Sequence, residues 1–207
     1  MTDNLSTRIA IRGDRTWTIN DWEEIDFSQD PGWQKAINIF EDRYRGRFLD
    51  IIDIISCRNG AGFAVMALDC LLIETLQQFR EGVEETPRGQ SRKYFCRFLT
   101  QTSFKDYFND ELANLFYDQI RCGILHQAEV KKSSRIQTRD SVQLISKDET
   151  GGIIINRRKL HKMMESVFQE YVNALRKNDL PDDVIRENFQ KKMNVICRIE
   201  EKKEEKP

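Results

Sequence analysis

Proline is scarce in this chain, four in 207 residues, and glycine numbers only ten. So few backbone breakers exclude collagen-like and Pro-rich disordered chains, and 32% charged against 39% hydrophobic residues fits a helical globular protein. Cysteine occurs five times (Cys57, Cys70, Cys96, Cys122, Cys197), an odd number, widely spaced and never as CxxC. That spacing excludes a disulfide framework and a zinc knuckle, so the cysteines read as reduced thiols and no metal is expected. An excess of either charge is missing too: 33 Lys and Arg against 34 Asp and Glu leave −1, which excludes a globally basic nucleic-acid binder but not a local patch. Long apolar runs are also absent. MTDNLSTRIAIRGD holds no signal-peptide core, and AGFAVMALDCLLIETL at 61–76 contains Asp69 and Glu74 and is shorter than a bilayer span. The expectation is a cytoplasmic protein without cofactors.

At this length one core buries roughly 70% of the unfolded surface. The organisation expected is an N-terminal extension over 1–30, a helical domain over 31–199 and a solvated charged tail, EEKKEEKP, over 200–207. RIAIRGDRTWTI at 8–19 alternates apolar and polar residues around Gly13-Asp14, the signature of a hairpin. Asp30-Pro31 opens a first helix, with Asp30 as cap, that runs through Phe40, Tyr44, Phe48, Ile51 and Ile55 to about Arg58-Asn59-Gly60. A second helix over about 61–80 is apolar on most faces, a third covers 91–101, and Asn109 caps a fourth. A polar, basic stretch over 131–140 precedes a second hairpin, SVQLIS and GIIIN around 148–152; a fifth helix follows over about 157–178, and Pro181-Asp182-Asp183 starts a sixth. The class is all-α: a bundle of five to six helices with one or two small edge hairpins.

Only two histidines occur. One lies in YDQIRCGILHQAEVKK, 117–132, where a core-like helix carries Arg121 and His126 and runs into Lys131 and Lys132. Five residues apart, Arg121 and His126 sit about 140° apart on an ideal helix, so they share a target only if Gly123 allows a kink or a two-fold axis pairs two such helices. From 121 to 162 the chain has ten Lys or Arg and four acids, net +6, against −7 elsewhere. Arg157, Arg158 and Lys159 oppose the macrodipole at a helix start, and phosphate contacts would account for them.

Arg-x4-His late in a bundle helix, with the opening EEIDFSQDPGWQKAINIFEDRYRGRF, resembles the HEPN superfamily, in particular its small plasmid-type branch. The resemblance covers roughly 33–180. It implies a homodimer with a composite site that cleaves RNA without metal, Arg121 and His126 being catalytic, and a role as a toxin or phage-defence effector with a possible antitoxin. The chemistry suits the residue types: RNA supplies its own 2′-OH nucleophile, histidine moves protons near neutral pH, and arginine presents a charged fork to phosphate. Lys131, Lys132, Arg157 and Arg158 are the expected RNA-binding cations; Cys122, Asp69 and Glu74 are supporting residues. Cys122 stands where family nucleases carry a polar side chain, which favours the alternative, a non-catalytic module binding a nucleotide or a partner such as a nucleotidyltransferase.

Plainer readings stand beside these. Arg121 has Asp118 and Tyr117 within a turn, His126 is placed to cap a helix C-terminus, and His161 is surface, RNA-facing or plain. Tyr94, Phe95 and Phe98 either stack on bases or pack in a core. Asp69 and Glu74, set in an apolar helix, need buried partners, and Arg121 is a candidate for one of them.

Overall fold

The computed structural model describes residues 6–177 and 184–199. Among these are seven helices and two small sheets, the mostly helical class that the periodicity predicts. The described residues of 1–47, 79–84 and 172–207 form one compact unit, and 48–78 with 85–171 form a second.

In the first unit, β1 (Arg8–Arg12) and β2 (Arg15–Thr18) make the expected antiparallel hairpin. Gly13 turns it at φ +55°, a left-handed conformation suited to glycine. Asp42 fastens the hairpin: its buried carboxylate accepts from Arg15 at 2.7 Å and from the Trp17 indole at 2.9 Å, so its loss of water is offset by a cation and a donor. A short helix that periodicity missed, α1 (Ile19–Glu23), starts from a capping box of Thr18 and Asp21. The next helix, α2, covers 30–56, with π-helical Arg45–Leu49 between α-helical Asp30–Tyr44 and Asp50–Ser56. Its cap is Gln29 rather than Asp30, which leaves Asp30 and Pro31 in the first turn, where acid and proline are both favoured. Within the π segment Gly46 lets the Ile11 carbonyl approach, since a Cβ there would lie 2.0 Å from that oxygen. Phe40 meets Phe79 and Phe189 at 4.9 and 5.4 Å, edge to face, in the core of this unit.

The second unit holds most of α3 (Gly62–Glu81), α4 (Ser91–Gln101) and α5, which covers 110–127. Helix α3 is 20 residues long, matching the helix expected over about 61–80, and an 18-residue window of it is long and apolar enough to cross a membrane. Half of that window is buried, and both of its acids have partners on other helices, so it packs as a core helix. Tyr94, Phe95 and Phe98 are buried, the core alternative. Asn109 caps α5 by accepting from Leu112 N at 2.9 Å, as expected.

After α5 come β3 (Arg135–Gln137), β4 (Ile145–Lys147) and β5 (Ile153–Asn156), in the order β3-β5-β4. The β4–β5 hairpin was expected. Strand β3, in the stretch read as polar and basic, adds in parallel to β5 with Arg135 opposite Ile154. Asn156 then ends β5 and starts α6 (Arg157–Arg176): its Oδ1 accepts from Arg158 N and Lys159 N, and its Nδ2 donates to the Arg139 and Val142 carbonyls. Helix α7 covers Val184–Cys197; the Pro181-Asp182-Asp183 start and the 200–207 tail lie outside the described residues.

Candidate functional site

Arg121 ends a π-helical turn, Tyr117–Arg121, inside α5, and such turns recur at functional sites. Its guanidinium reaches α3 and α4: one nitrogen donates to Glu74 Oε2 and to Ser91 Oγ, both at 3.1 Å, and the group lies over the Tyr117 ring at 5.2 Å. Arg92 covers the same ring at 4.8 Å and binds Asp118, so Asp118 is not the partner of Arg121. Burial works against the Arg121 charge, but Tyr117 and Glu74 outweigh it and raise its pKa. Arg121 Nε is buried and makes no hydrogen bond. Of Asp69 and Glu74, Glu74 is therefore the partner of Arg121. A double-mutant cycle in urea is expected to give about 1–2 kcal/mol of coupling between Glu74 and Arg121 and none between Asp69 and Arg121.

His126 lies in the last turn of α5 and is exposed; among the described residues no hydrogen bond links it to Arg121. The π turn ends at Arg121, so the steps from there to His126 are α-helical and the turn does not bring the two onto one face. Left-handed Ala128 ends the helix, and the chain folds back along it, with Lys131 N donating to the Gln119 carbonyl at 2.8 Å. Gly123 permits this return rather than a kink: a Cβ there would stand 2.4 Å from the Glu129 carbonyl oxygen. The consequence for the site is that half-buried Lys131 and exposed Lys132 follow within six residues of His126.

The cations at the start of α6 divide. Arg158 is exposed, in keeping with a phosphate contact. Arg157 is not on the surface: it is buried and donates to the Ser56 carbonyl at 3.2 Å, while Lys159 Nζ donates to the Asp140 carbonyl at 2.8 Å. Backbone carbonyls therefore account for two of the three cations that oppose the helix dipole.

His161 corrects the surface reading. It is 5% exposed, and its Nδ1 lies 2.9 Å from Oδ1 of Asp69, which is fully buried. Burial lowers the imidazole's affinity for its second proton, yet Asp69, Glu165 and Asp53 outweigh that and raise its pKa above 6.5. Burial raises Asp69 as well, so the pair gives up its proton late as a unit. The signal for His161 was present in the sequence: Arg157, Leu160, His161, Met164 and Phe168 recur at helical spacing and form the buried stripe of α6.

Two cavities lie near these cations. The larger, about 840 Å³, is lined by Tyr107, Leu112, Leu144, Lys159, Lys162 and Met163 among others, and neither Arg121 nor His126 reaches it. The smaller, about 420 Å³, has His161 in its wall. No family model matches the chain, and neither a curated protein nor a solved structure was found to match it.

Proposed function

We propose that this chain is a HEPN-type RNA endonuclease working as a cytoplasmic homodimer. The observation that carries the reading is the exposure of His126 on the helix that holds Arg121 in place, with Lys131 and Lys132 following in the returning loop. Leu125, 46% exposed beside His126, is apolar surface that a second copy would cover. Pairing two α5 helices about a two-fold axis overcomes the angular separation of Arg121 and His126 by giving one cleft two of each.

In that cleft the 2′-oxygen attacks the adjacent phosphorus and the P–O5′ bond breaks. One His126 takes the 2′-OH proton and the partner's His126 protonates the leaving 5′-oxygen. Arg121 stabilises the charge on the phosphorane, and the lysines hold the flanking phosphates. Because the substrate carries its own nucleophile, the step needs no metal-activated water. The products are a 2′,3′-cyclic phosphate and a 5′-OH, and the reaction suits a toxin or phage-defence effector. The test is cleavage of labelled RNA in excess chelator with the 3′ ends identified. Cyclic-phosphate ends are expected, DNA of the same sequence stays intact, and 3′-OH ends would sink the mechanism.

Glu74 and Ser91 on the Arg121 fork, with Cys122 beside it, favour a second reading. In it the same surface is a non-catalytic module for a nucleotide or for a partner protein such as an antitoxin or a nucleotidyltransferase. Salt-dependent RNA binding without cleavage at any enzyme concentration would select it.

A further inference from the structure

We propose that Asp53, His161 and Glu165 form a site for a divalent transition-metal ion, with Asp69 orienting the imidazole from behind. His161 and Glu165 are one turn apart on α6, so both project from one face, and Asp53 comes from the last α-helical segment of α2. One ligand atom from each lies within 4.8 Å of the others.

The buried imidazole supplies the second, independent observation. Its Nδ1 is committed to Asp69 at 2.9 Å, and its Nε2 is buried without a hydrogen-bond partner. The nearest Asp53 oxygen is 3.5 Å from that Nε2. An imidazolium bridging two carboxylates would draw that oxygen in to about 2.7–2.9 Å. By contrast, two ligands each about 2.1 Å from a tetrahedral ion sit about 3.4 Å apart. The spacing therefore fits an ion between the two groups better than a proton.

A carboxylate on the far nitrogen of a ligating histidine is the arrangement that fixes the tautomer and raises the basicity of the metal-facing nitrogen. Here Asp69 takes that part. One imidazole and two carboxylates suit zinc or manganese, and three protein ligands leave a further position open to the cavity of about 420 Å³. Arg158 and Lys162 also line this cavity and oppose a cation, but both are exposed and are outnumbered by Asp53, Asp69 and Glu165. Cys57 is the remaining ligand type in the wall, and it is exposed, with its thiol on the Ile54 carbonyl.

The experiment uses the untagged full chain, stripped with chelator and titrated with Zn²⁺ and separately with Mn²⁺ by calorimetry, with metal analysis after dialysis. One ion per chain is expected, with affinity falling at least about tenfold in Asp53→Asn and in Glu165→Gln. Cys57→Ser should bind as the wild type does. Asp53 has a side chain 58% exposed, so its variant is expected to fold, and circular dichroism checks this. A saturable rise in Tm with Zn²⁺ is expected in the wild type and not in Asp53→Asn. Absence of stoichiometric binding, equal binding by both carboxylate variants, or loss of binding in Cys57→Ser would each overturn the site. None of these outcomes depends on RNA cleavage.

Discussion

His126→Ala is expected to lower single-turnover RNA cleavage by about 10²–10⁴-fold, the range a positioned acid–base group contributes, or roughly 2.7–5.5 kcal/mol of barrier. The same change should leave the fold nearly intact, because His126 is exposed and an exposed substitution costs within about 0.5 kcal/mol. That asymmetry separates catalyst from cap. A histidine serving only to complement the C-terminal dipole of α5 would give up to about 1 kcal/mol of stability and no change in cleavage. Arg121 needs a different variant, since alanine would also strand Glu74. Arg121→Lys keeps a charge beside Glu74 but loses the planar fork, so cleavage should drop by about 10²-fold or more with little loss of Tm. The measurement is cleavage rate against urea midpoint for wild type and both variants. Equal fractional losses in the two columns would mean that α5 is only a structural helix.

How much of this was legible in the sequence differs by range. Helix α4 begins and ends at the residues read from periodicity, because the Gly82 to Gly89 loop before it and Thr102 after it are local punctuation. The cap of α5 at Asn109 and the two hairpins are local as well, each signalled within a dozen residues. Strand β3 was invisible for the opposite reason. It pairs in parallel with a strand about 19 residues onward, and in isolation Arg135–Gln137 is a short polar piece. Helix α1 escaped because five residues give too few turns for a period, though its capping box was present in Thr18 and Asp21.

The site followed the same rule. Glu74 to Arg121 could be guessed, since an acid in an apolar helix demands a cation and α5 offered one. Asp69 demanded a partner equally, but His161 lies 92 residues away in a segment whose dense cations disguise a buried stripe. Arg157 was misjudged for the same cause: its buried guanidinium meets the carbonyl of Ser56, and no local pattern announces a carbonyl 101 residues off.

Asp69→Ala should be the most destabilising single change among the polar residues described here, at about 3–5 kcal/mol. Asp69 is fully buried and His161 nearly so, and removing the carboxylate leaves a buried imidazole N–H with no acceptor and a void beneath it. Asp69→Asn keeps the volume and a carbonyl oxygen that can still accept from Nδ1, so it should cost less, about 1–2 kcal/mol. The ordering of the two variants carries the argument more than either magnitude. If hydrophobic packing of α3 were all that mattered at this position, asparagine and alanine would rank together; if the hydrogen bond to His161 holds α3 to α6, asparagine recovers most of the loss. Urea unfolding of wild type and both variants, at a pH below 6.5 where the imidazole is charged and the bond strongest, reads the ordering directly.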